Sequence, residues 1–159
     1  MATVSDITVT PTSGLNHIDA LLDTGPDWNF LTPAGNVLRY TFSIASGNEA
    51  EFAGQQQAFS AVQQANARAA IAYLSQVTGI QFLETTDGTA AQIHLCNMDI
   101  SDASTTGLCS WNSNYSKVVG TDELISYSAN AYVYLDNREW ASNNATLAAG
   151  TAGYQTLLH

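Results

Sequence analysis

The stretch from Gln55 to Val77 constrains this chain more than any other. Phe59, Val62, Ala69, Tyr73 and Val77 recur at helical steps, many alanines lie between them, and Gly79 stands just past the end. That pattern predicts one long amphipathic helix, and a helix with one apolar face needs a surface to lie on. The flanking segments supply it. VLRYTFSI (37–44) is rich in aromatic and β-branched residues, GIQFLETT and AQIHLCNM are short strand-like runs separated by TDGT, and AYVYLDN (131–137) reads as another strand. In AQIHLCNM, Ile93 and Leu95 point one way and Gln92, His94 and Cys96 the other. The expectation is an α+β fold with the helix packed on the sheet.

The remaining segments are punctuation around that unit. Residues 1–15, polar and broken by Pro11 and Gly14, read as an extended arm. NHIDALLDTG reads as a short helix through Ile18, Leu21 and Leu22, and Pro26 and Pro33 then punctuate a linker that holds Trp28 and Phe30. From Asp99 to Asn130 Ser, Thr, Asn and Gly dominate, which predicts a long surface excursion with little regular structure beyond one short strand. A last helix is expected to start near Gly150 or Thr151. A chain of 159 residues fits one domain with a real core.

Charge removes several functions. Four basic residues stand singly against 14 acidic ones, for a net charge of -10. No basic patch exists to neutralise phosphates, so nucleic acid is an unsuitable partner, and an acidic lipid surface would repel the chain. No stretch approaches the ~20 apolar residues that span a bilayer. Only 11% of residues are charged, and uncharged polar residues take their place, as suits a secreted bacterial-type protein.

Few side chains invite chemistry. His17 reads as a surface residue and His94, on the polar side of its strand, as a structural hydrogen-bonding group. Asp99 with Asp102, and Asp122 with Glu123, read as solvated acidic surface, since neither pair follows a calcium-loop pattern. Cys96 and Cys109 bracket the loop NMDISDASTTGL. A disulfide there would stabilise by about 3 kcal/mol, and two buried thiols are the other reading. The chain has no GxSxG, no Walker loop and no GxGxxG. A terminal His159 remains, and by itself it is weak evidence.

The order of segments is more specific. IDALLDTGPDWN, then VLRYTFS, then FSAVQQANARAAIAYLSQVTGIQFLE, then AQIHLCN, and AYVYLDN before GYQTLLH together resemble the N-terminal part of the serralysin-like metzincin zinc peptidases. The likeness runs from about Asn16 to His159. In that family a helix beginning near such a Tyr-Gln-Thr segment carries the zinc-binding motif HExxHxxGxxH, and His159 matches its first histidine. The cysteine pair departs from the family's pattern, and the rest of the motif is not in this sequence.

The resemblance implies a twisted, mostly parallel sheet with one packed helix and an antiparallel edge strand above a cleft. AYVYLDN maps onto that edge strand, so a substrate peptide is expected to add a strand through the backbone of Ala131, Tyr132, Val133 and Tyr134. The other reading is that these aromatics only fill the sheet. The resemblance further implies zinc, with His159 as a ligand, and makes calcium plausible in a longer parent. Residues 16–159 would then be a protease-like N-terminal subdomain, cut at the active-site helix, of a secreted zinc endopeptidase. With one zinc ligand and no catalytic glutamate, the isolated chain is expected to be inactive. A non-catalytic module binding peptides or proteins is the alternative. A shortened active-site helix would leave sheet surface open for the missing C-terminal half or for self-association.

Overall fold

The computed structural model describes residues 2–9, 14–15 and 37–158. The expected helix over NHIDALLDTG, His17, Trp28, Phe30 and His159 lie outside these residues. In chain order the elements are α1 (Val4–Thr8), β1 (Val37–Thr41), α2 (Ala61–Thr78), β2 (Gln81–Glu84) and β3 (Ile93–Met98). They continue with β4 (Gly107–Lys117), β5 (Leu124–Asp136), α3 (Ala141–Asn144) and α4 (Ala152–Leu158).

Ser60 decides where α2 begins. Its Oγ accepts from the Gln63 N–H at 3.2 Å, and Gln63 Oε1 accepts from the Ser60 N–H at 2.8 Å. This reciprocal cap satisfies two donors that a helix start leaves open, so the helix starts later than Gln55. At the other end Gly79 adopts a left-handed φ of 74° and closes the helix on the Ser75 carbonyl.

The helix presents a different face to the sheet from the one its large apolar residues suggest. Val62, Tyr73 and Val77 are exposed, whereas Gln63, Ala67 and Ala70 are buried. Small side chains let the helix approach the sheet closely, and Arg68 holds it to β2. Its guanidinium bonds both oxygens of Glu84, at 2.6 and 2.7 Å, and Tyr40 donates to the same carboxylate at 3.1 Å. Both partners are substantially solvated, so the pair contributes no more than about 1 kcal/mol.

The sheet has the order β2-β1-β3-β5-β4. The first four strands are mutually parallel and β4 runs antiparallel to β5. The mostly parallel α+β architecture with one antiparallel edge is therefore as expected. Its central strands are covered on both sides. On one face, beneath α2 and α4, Tyr40, Leu95 and Leu135 pack with Phe42, Phe59, Ala67 and Leu147. On the other, Cys96, Met98, Tyr132 and Tyr134 pack with Ile100, Ile44 and Phe52 under the loop that follows β1. That loop lies tight because Gly47 and Gly88 face each other: a Cβ on Gly47 would stand 2.2 Å from the Gly88 carbonyl oxygen.

Two expectations about regular structure are corrected. The arm 1–15 contains one helical turn at its start, α1, held by Asp6, whose carboxylate accepts from Thr3 N and Thr3 Oγ1. It is tied to the hairpin by Val4 N to Asp122 O and Leu124 N to Ala2 O, each at 2.9 Å. The excursion from Asp99 to Asn130 is mostly a long hairpin, with β4 of 11 residues and β5 of 13. Its outer part is exposed on both faces, so it carries no run of buried aliphatic residues from which a strand could be read.

Candidate functional site

An antiparallel ladder alternates between residues that bond across the pair and residues whose backbone turns outward. Thr106 lies opposite Asp136 and accepts from its N–H at 3.1 Å. Every second residue from Thr106 therefore bonds to β5, and Trp111, Ser113 and Tyr115 between them turn N–H and C=O to the open edge. Among the described residues none pairs with that edge.

Beneath the start of β4 lies a groove of about 600 Å³ against α4, lined by Thr106, Gly107, Cys109, Val133, Thr156 and Leu157. Gly107 makes the approach of α4 feasible, since a Cβ there would stand 2.6 Å from Thr156 Cγ2. The Thr156 hydroxyl meets the Thr106 hydroxyl at 3.3 Å. The site thus combines an open strand edge with a half-apolar groove, which suits an extended chain that adds a strand and drops a side chain below it.

The residues read from the sequence for this task lie one strand further in. Ala131, Tyr132, Val133 and Tyr134 belong to β5, which is paired with β3 on one side and β4 on the other. Their backbone groups are already engaged in ladders, so they cannot receive a peptide strand. The edge of the sheet on this side is β4. Val133 and Tyr134 still border the groove. The alternation of Trp111, Ser113 and Tyr115 with Asn112 and Asn114 is the sequence signal that marks β4, masked by its polarity.

Cys96 and Cys109 do not form the expected disulfide. Cys96 is opposite Tyr134 on β3 and Cys109 is opposite Val133 on β4, so the thiols lie on opposite faces with β5 between them. Two strand spacings, about 9.5 Å, exceed the reach of a disulfide. Burial pushes the Cys96 thiol up to about 12, while Cys109 is exposed at the groove.

His94 is 5% exposed and stacks on Tyr132 with ring centroids 4.8 Å apart. It is not the hydrogen-bonded residue expected, because neither ring nitrogen has a partner of good geometry. Burial lowers its pKa, against smaller opposing influences from the Asn130 side chain and the Ala91 backbone.

The acidic residues hold loops. Asp102 accepts from Ser104 and Thr105, Asp122 pairs with Lys117 at 3.0 Å, and Asp99 pairs with Arg138 at 2.9 Å. Asp99, Asp136 and Glu139 bring carboxylate oxygens within 4.8 Å of one another. The Asp136 oxygens already accept from the N–H groups of Ile100, Arg138 and Trp140, and Asp99 is neutralised by Arg138. The cluster reads as a loop clasp.

The described residues do not fit the zinc that the resemblance implies. The cluster just described is all-carboxylate, unlike the nitrogen and sulfur sets that zinc favours. His94 is on the sheet face opposite α4, and His159 is outside the described residues. Compared with known proteins, the chain matches no family model and no curated sequence.

Proposed function

We propose that this chain is the N-terminal subdomain of a secreted zinc endopeptidase of the serralysin-like metzincin type, a hydrolase of peptide bonds in proteins. One observation carries the reading: β4, an antiparallel edge on an otherwise parallel sheet, borders a groove whose floor is the helix leading to His159. An extended polypeptide docks along β4 through the outward groups of Trp111, Ser113 and Tyr115, and the groove receives one of its side chains. The low content of charged residues supports an extracellular setting.

The chain's own share of the work is docking. Of HExxHxxGxxH it holds only His159, and a lone imidazole binds zinc weakly without further preorganised ligands. The absence of a zinc-type ligand set among the described residues favours a second reading, a non-catalytic module that binds extended peptides or a partner protein along the same edge.

Zinc content of the purified chain, measured with its intact mass and a casein hydrolysis assay, tests the inactive-subdomain reading. The expected result is neither zinc nor hydrolysis at the mass of this chain, and stoichiometric zinc with activity would overturn it. The coding sequence after the His159 codon separates the two functions. An in-frame completion of HExxHxxGxxH supports the endopeptidase, and any other continuation leaves the binding module.

A further inference from the structure

From Ser110 to Ser116 the edge strand reads SWNSNYS, and this string is nearly the same in both directions. Ser113 is its centre, flanked by Asn112 and Asn114, then by Trp111 and Tyr115, then by Ser110 and Ser116. A strand that meets a second copy of itself antiparallel about a two-fold axis sets each residue opposite its mirror position. We propose that β4 pairs with β4 of a second copy, with the axis through Ser113, so that two five-stranded sheets become one continuous sheet.

Four observations on this chain meet in that register. The first is backbone polarity: Trp111, Ser113 and Tyr115 turn their hydrogen-bonding groups outward, and the axis at Ser113 pairs them with Tyr115, Ser113 and Trp111 of the second copy. The second is side-chain matching. Trp111, 43% exposed, stands opposite Tyr115, 50% exposed, and Asn112 stands opposite Asn114, so each class meets its own kind.

The third is charge. The run from Gly107 to Ser116 contains no Asp, Glu, Lys, Arg or His. A chain of net charge -10 thus offers its partner a neutral seam, without the lysines or prolines that usually protect an edge strand along these positions. The fourth is shape. The axis keeps like faces together, so the exposed strip of Trp111, Tyr115 and Ile125 is doubled. The helix α4 lies at the Gly107 end, and the axis carries the two copies of it to opposite ends of the seam.

This inference stands apart from the peptidase reading, although a peptide and a second copy would compete for the same edge. It is tested on the full chain by two measurements. In sedimentation velocity over a range of concentrations the wild type is expected to populate a dimer. Ser113→Lys, which sets two ammonium groups against each other on the axis, is expected to remain a monomer. Wild-type protein that stays monomeric throughout, or S113K that sediments like wild type, would overturn the proposal.

Cross-linking guards against a misfolded variant. In a Cys109→Ser background, Ser113→Cys places two thiols opposite each other at about 5.5 Å between Cα atoms, within disulfide reach. Oxidised glutathione is expected to convert that protein to a covalent dimer and to leave Asn114→Cys, whose mate is two positions away, largely uncoupled. Equal coupling of both variants, or none of S113C, would refute the register.

Discussion

Gln63 and Asn97 hold each other by a reciprocal pair of amide hydrogen bonds, Gln63 Nε2 to Asn97 Oδ1 at 2.9 Å and Asn97 Nδ2 to Gln63 Oε1 at 3.1 Å. Both are buried between α2 and β3. Gln63 also donates to the Asn144 carbonyl at 3.0 Å and caps its own helix through Ser60. Gln63→Leu is therefore expected to cost about 2–3 kcal/mol, since it strands buried partners. Urea denaturation checks this, and the double variant Gln63→Leu/Asn97→Leu should lose less than the sum of the singles. A single-variant loss within experimental error would mean that the seam does not depend on this pair.

His94 predicts how stability responds to mild acid. Burial holds its native pKa below the ordinary 6.5. The unfolded chain then takes up a proton that the native chain refuses as pH falls through that ordinary value. The unfolded state binds more protons, so stability falls with falling pH in this window. The urea midpoint is expected to drop between about pH 7.5 and about pH 5.5, and His94→Phe should remove most of the drop. An equal drop in both proteins would assign the effect to other groups.

Asp136 makes the opposite kind of contribution at lower pH. Burial, the largest influence, opposes its ionisation, yet N–H groups of Trp140, Ile100, Arg138 and Glu139 hold its pKa below the ordinary 3.8. A carboxyl with a depressed native pKa stabilises above its unfolded value, and that contribution is lost as pH falls below it. Asp136→Asn should cost about 2–3 kcal/mol near neutral pH, with the gap to wild type closing toward about pH 3. Thermal melts across that range measure it.

The cysteines should behave as two unlike thiols. Exposed Cys109 is expected to react with a chromogenic disulfide reagent in the folded protein, and Cys96 only after denaturation. The intact mass without reductant should be that of the dithiol. A mass lower by two hydrogens, with no reactive thiol, would restore the disulfide that the sheet geometry excludes.

Local signals in the chain determined the elements that are rich in contrast. The β-branched and aromatic runs gave β1, β2 and β3, Gly79 marked the end of α2, and α4 begins within two residues of its expected start. These features depend on backbone preference and near neighbours, which a sequence displays directly. The start of α2 was also written locally, in the Ser60–Gln63 cap, although the longer helical periodicity overrode it.

What only the tertiary structure decided is which groups meet and which stay open. Strand order made β5 an interior strand and β4 the edge, so the outward backbone groups belong to Trp111, Ser113 and Tyr115 and not to Ala131–Tyr134. The same order put Cys96 and Cys109 on opposite faces, and it buried Gln63 on α2 while exposing Tyr73 and Val77. Each outcome follows from long-range pairing between segments distant in the chain. Residue spacing records which face a side chain shares with its neighbours along a strand, and only the assembled sheet sets what lies across from it.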